Sequence, residues 1–192
     1  MALEATTGAS DVDGAVERAR RDGLAGVVVP PAFVRRAAAS GVTVGSVVAH
    51  PNGWEKPTMK AIAATGLAKD GATHLAVTPL AANLIAGDLD AYRHELLEIA
   101  RGARAARPTL ALSARIDLGW PALDLPAIGA ATIRGAFDGV VLESTDVETL
   151  VAAITMLRAI DGLNVAAMAR ESAWADRLLV AGATRVAIMA SA

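Results

Sequence analysis

A closed barrel of eight alternating β-strands and α-helices, the (β/α)8 or TIM barrel, is the fold this sequence predicts. Two observations carry that expectation. The first is a recurring unit in which a helix ends, a glycine follows and the chain runs into apolar, largely β-branched residues. Arg21 to Val29, Lys69 to Val77, Arg134 to Leu142 and Ala181 to Ile188 are four versions of it, with Gly23, Gly71, Gly135 and Gly182 in the same place. The second is that segments with apolar residues at helical spacing lie between the strands, so helix and strand alternate as in a parallel sheet. With 192 residues the chain reads as one domain, 1–192. Such barrels typically need roughly 250 residues, so this one is expected to be compact.

The elements follow in order. The first strand falls within residues 1–7, where Leu3 is the one large apolar residue after the initiator, and it is weak. Further strands lie at 43–48, 109–114 and 164–167, besides the four apolar runs of the repeat. Helices are expected at 11–20, 58–68, 89–105, 125–133, 147–160 and 172–180. Asp11 and Asp146 stand where N-caps belong, Pro57 and Pro126 suit first turns, and Asp88 lies just before its helix. The glycine of each unit suits the left-handed residue that ends a helix. The sequence stops at Ala192 directly after the last strand, so no final helix is expected. An uncovered apolar flank would then favour a homo-oligomer, in the simplest case a dimer, or another protein partner.

Composition excludes several classes of function. A hydrophobic content of 54% with 20% charged residues excludes a disordered chain. Aromatic residues make up 3%, too few for base-stacking platforms, and a net charge of −2 supplies no basic field for nucleic acid. No cysteine is present, which removes disulfides, thiolate nucleophiles, zinc ribbons and iron–sulfur clusters together. The first ten residues lack a basic stretch followed by an apolar one, and no apolar run reaches the ~18 residues of a membrane span. A cytoplasmic protein with a small-molecule ligand or a protein partner is the expectation, with no cofactor and no metal, since no His-Glu-x-x-His spacing occurs.

The order and wording of the units resemble the deoxyribose-phosphate aldolase family. The resemblance is carried by Gly26 to Val34, Val44 to Gly53 with its His50-Pro51-Asn52-Gly53 run, Lys69 to Thr73, Asn83 to Asp90, and Ala181 to Arg185. It implies a class I aldolase barrel with an imine-forming lysine on the sixth strand, a pKa-lowering lysine on the seventh and an aspartate on the fourth. At the matching positions this sequence has Val141, Ala166 and Ala76, and its only lysines are Lys56, Lys60 and Lys69. The family's phosphate grip, glycines after the seventh strand and a Gly-Thr-Ser-Ser-Gly run on the eighth, is matched by Ala169-Arg170-Glu171 and by Ala187 to Ser191. The resemblance thus implies the scaffold of a carbon–carbon lyase without its Schiff-base residues.

In such barrels the active site sits at the C-terminal ends of the strands. The polar residues expected there are His50, Asp117 and Glu143 as catalytic candidates, and Asn52, Thr78, Arg115, Ser144 and Arg170 as ligand-binding candidates. His50 titrates near neutrality and could act as a base, yet its run is also what a tight turn requires. The simpler reading of Glu143, Arg115, Arg170 and Glu171 is as solvated ion pairs around the rim, since such surface pairs are common. Lys56 lies in the loop after the third strand, Lys60 and Lys69 read as solvated helix charges, and His74 begins a strand at the end away from the catalytic face. Trp54, Trp120 and Trp174 either roof the mouth or belong to an association surface. Two functions follow: a non-catalytic binding or partner-interacting barrel, or a lyase or isomerase working on a small carbonyl or phosphorylated metabolite by acid–base chemistry.

Overall fold

Eight parallel strands close on themselves in chain order in the computed structural model, which describes residues 2–5 and 11–189. They are β1 (Ala2–Ala5), β2 (Val27–Val28), β3 (Val44–Val48), β4 (His74–Val77), β5 (Ala111–Asp117), β6 (Gly139–Glu143), β7 (Asn164–Ala169) and β8 (Arg185–Met189). The weak first strand is real. Ala2 stands opposite Val186 and Ala5 opposite Val28, so β1 joins β8 to β2 and closes the sheet. A backbone ladder needs no large side chains, which is why so poor an apolar signal suffices.

The helices are α1 (Val12–Arg21), α2 (Val34–Ala38), α3 (Pro57–Lys69), α4 (Ala81–Ile85), α5 (Leu89–Ala106), α6 (Leu125–Arg134), α7 (Val147–Leu157) and α8 (Ala175–Ala181). Two of them, α2 and α4, have no counterpart in the sequence reading, because five residues are too few to show a 3.6-residue period. The expected helix at 147–160 stops at Leu157, and that at 172–180 is a 3-10 turn over Ser172–Trp174 followed by α8. Asp88 and Asp146 cap as expected, accepting from Ala91 N at 3.0 Å and Thr149 N at 2.8 Å. Asp11 does not cap; its carboxylate takes Arg18 at 2.7 Å instead.

Three of the four repeat glycines are left-handed: Gly23, Gly71 and Gly182 have φ of 64°, 109° and 114°. Gly135 departs from the expectation. In that unit Ala136 takes the positive φ, and a Cβ on Gly135 would lie 2.8 Å from Leu96 Cβ, so glycine there serves the close approach of α5.

The core lies between the sheet and its helices. Outward-facing strand residues such as Val27, Val44, Leu75, Leu112, Leu142 and Val165 are buried there. Val186 on β8 is also fully buried, so the flank expected to lie bare is covered at that point. Residues 190–192, where a final helix was not expected, lie outside the described residues. The inward positions are different. Gly45, Ala76, Ala111, Ser113, Ala166 and Ala187 put almost nothing into the bore, where such barrels ordinarily stack layers of Val, Ile and Leu.

Candidate functional site

Small inward residues leave the barrel hollow. A cavity of about 300 Å³ runs inside it, walled by Ala76 of β4, Ser113 of β5, Val141 of β6, and Ala166 and Met168 of β7. The wall is mostly methyl and methylene. Ser113 is one of the polar residues that line it, and its hydroxyl has no hydrogen-bond partner among the described residues. Alternate residues of the same strands face the helices, so a single sheet presents a packed surface outward and an open one inward.

His74 enters the lumen from the N-terminal edge of β4. It lies against Gly45, where a Cβ would sit 1.9 Å from the imidazole Nε2; only glycine on β3 leaves room for the ring. Thr73 Oγ1 donates to Val44 O at 2.9 Å and lies 3.3 Å from His74 Nδ1, so it receives the Nδ1 proton and Nε2 has no partner among the described residues. Burial, then the Arg185 cation, push the imidazole pKa down to about 4, which keeps it neutral at neutral pH. The sequence reading placed His74 at the correct end of its strand and missed that its ring reaches the bore.

The C-terminal rim gathers part of the expected constellation. Arg115 of β5 and Glu143 of β6 form an ion pair, and Asp117 stands opposite Glu143 in the ladder. Burial lowers the Arg115 pKa and the Asp117 carboxylate opposes that shift. Partial burial and the Arg115 cation hold His50 below its ordinary range, so the imidazole is neutral at physiological pH. Thr78 is buried, and its hydroxyl has no partner among the described residues. The other candidates stand apart: Asn52 and Arg170 are exposed, and Ser144 Oγ accepts Asp146 N at 3.1 Å to shape its own loop. Arg115 and Glu143 do form an ion pair at the rim, but Arg115 is buried rather than solvated as expected, while Arg170 and Glu171 have no such partner among the described residues.

No family model and no curated protein matches the sequence. Solved structures do. An aldolase, QR15, superposes with a TM-score of 0.81 at 21% identity, over 96% of this chain and 88% of its own. A deoxyribose-phosphate aldolase from Aeropyrum pernix, described as a tetramer, gives 0.80 at 21% identity, over 96% and 84%. The chain has the barrel fold of the deoxyribose-phosphate aldolases. A phosphoenolpyruvate phosphomutase from Streptomyces platensis subsp. rosaceus is similar too, with a TM-score of 0.72 at 14% identity, over 97% and 75%. In this aldolase-type barrel Val141, Ala166 and Ala76, which stand where the resemblance implies two lysines and an aspartate, all line one lumen, and no lysine does.

Lys60 corrects the sequence reading most sharply. Far from solvated, its ammonium is fully buried and donates to Gly53 O at 2.7 Å, to Thr78 O at 2.9 Å and to Glu95 Oε1. Glu95 Oε2 in turn accepts Leu80 N at 3.1 Å. Three protons meet three acceptors, so the amine is a clamp between the loops after β3 and β4 and has no lone pair to offer a carbonyl. Gly53 completes the contact: its φ is 65°, and a Cβ would lie 2.0 Å from Pro79 O. The signal was in the spacing, because Lys60, Ala64 and Leu67 share the buried face of α3.

Lys56 and Lys69 are exposed and do not line the lumen. Trp54 is exposed, whereas Trp120 and Trp174 pack half-buried against the core. Among the described residues no three His, Asp or Glu side chains converge as a metal site, and no helix is long and apolar enough to cross a membrane.

Proposed function

We propose that this aldolase-like barrel binds a small, largely apolar organic molecule in its lumen and forms no imine with it. One observation carries the reading: the positions at which the resemblance implies lysine, lysine and aspartate are Val141, Ala166 and Ala76, around a cavity of about 300 Å³ that no amine reaches. That volume is at the lower end of the roughly 300–1,000 Å³ of small-molecule sites. Apolar walls with one unspent hydroxyl, at Ser113, are the usual makeup of such a site.

A second reading, acid–base lyase or isomerase chemistry at the C-terminal rim, draws support from Arg115, which pairs with Glu143 and bears electrostatically on both His50 and Asp117. Titration of the ¹³C-methyl-labelled protein with hexanol, an uncharged probe, tests the first reading. Saturable shifts are expected at the methyls of Ala76, Val141 and Ala166. They should persist in His50→Gln and vanish in Ala166→Leu, whose side chain fills the bore. Absence of lumen shifts, or shifts confined to the surroundings of His50 and Asp117, overturns it.

A further inference from the structure

The lumen wall extends to the N-terminal edge of the sheet, the end opposite to that where barrels of this type bind. His74, Ala111, Asn164 and Arg185 are the first residues of β4, β5, β7 and β8, and all four line the cavity. Asp138 and Thr184, immediately before β6 and β8, line it as well, and Asn164 and Thr184 are exposed to solvent. At the other end the lining stops at Arg115 and Met168, and Arg115 is tied to Glu143 across the bore's edge. The hollow part of the barrel is therefore continuous with its N-terminal face.

Charge at that face is unevenly spent. Asp138 Oδ2 accepts Arg104 at 2.8 Å and Leu112 N at 2.7 Å. Arg185 has neither an ion pair nor a hydrogen bond among the described residues, although it is only partly exposed and lies at the mouth of an apolar cavity. A guanidinium held partly out of water without an anion is costly, and a carboxylate is its geometric complement, able to accept two parallel N–H bonds. Asp138, which lines the same cavity with its carboxylate held by Arg104 and Leu112 N, adds negative charge that disfavours a dianion such as a phosphate monoester. From Arg185 the ladder leads to Ala166 and Val141 on the wall, with Ser113 one inward step beyond Ala111.

We propose that the N-terminal rim is a mouth of the barrel that takes an organic monocarboxylate with a short apolar tail, its carboxylate on Arg185 and its tail in the lumen. This rests on the lumen-binding reading and adds to it the ligand's charge, its orientation and its point of entry.

Hexanoate and hexanol, equal in chain length and different in charge, are the probes, and calorimetric titration with methyl shifts is the readout. Hexanoate is expected to bind the unmodified protein and to lose roughly ten- to hundredfold in affinity in Arg185→Gln, the range of a charge-assisted hydrogen-bond pair. Arg185→Lys, which keeps the charge, should retain part of that affinity. Hexanol should bind the unmodified protein and Arg185→Gln alike, which also shows the variant folded with its lumen intact. Unchanged hexanoate affinity in Arg185→Gln overturns the proposal, as does a loss that follows Arg115→Gln instead. In both outcomes lumen binding of hexanol would survive; if neither probe binds, the lumen reading falls with it.

Discussion

Glu95→Leu is expected to cost about 3–5 kcal/mol of folding stability, because it strands a fully buried ammonium without its counter-charge. Gly53 O and Thr78 O would still accept from Lys60, yet two carbonyl dipoles do not replace a carboxylate in a medium that screens so little. Lys60→Met should be comparably damaging, since Glu95 would keep only the Leu80 amide as a donor. The double change Lys60→Met with Glu95→Leu removes both charges and should recover a large part of the loss, short of all of it because the two carbonyls lose their donor. Urea denaturation of the four proteins gives the coupling directly. Single variants costing under about 1 kcal/mol would mean that the pair is solvated after all.

Acid should weaken the fold through His74. Its folded pKa of about 4 lies below the 6.5 of a free imidazole, so the unfolded chain takes up the proton first. The stability this group contributes is fully present above pH 6.5 and is lost as the pH falls toward 4. Between pH 7 and pH 5 the loss is about 2 kcal/mol at 1.36 kcal/mol per pKa unit. His74→Gln cannot titrate, so the difference in denaturation midpoint between it and the unmodified protein should shrink or reverse in its favour on acidification. Parallel pH profiles for the two proteins would show that the ring is not buried against Gly45.

Much of the scaffold was legible because it depends on local chemistry. Gly23, Gly71 and Gly182 mark helix ends through a backbone angle that only glycine adopts freely, and Asp88 and Asp146 mark helix starts through amides they alone can reach. The hollow bore was harder to read. In β5 the inward set Ala111, Ser113, Arg115 and Asp117 alternates with the buried Leu112, Ala114 and Ile116, a period of two that a short apolar strand largely conceals. Lys60 and Arg185 were missed for a different reason. Whether a lysine on a helix is solvated or clamped depends on Glu95, 35 residues away on α5, and whether an arginine is paired depends on its neighbours across the bore. That Arg115 and Glu143 belong to rim ion pairs was legible from their places at the strand ends. Which residues pair, and that Arg115 is buried in doing so, depends on the ladder between β5 and β6.

A lumen that binds without reacting is tested most directly by intact mass after incubation with acetaldehyde, or with deoxyribose 5-phosphate, and borohydride. Borohydride reduces an imine to a stable amine, so any lysine that forms one is recorded as a mass increase. With Val141, Ala166 and Ala76 on the wall and Lys60 saturated by three acceptors, the mass should stay unchanged at concentrations that fully label a class I aldolase. A borohydride-dependent adduct confined to Lys56, Lys60 or Lys69, accompanied by retro-aldol turnover, would contradict it.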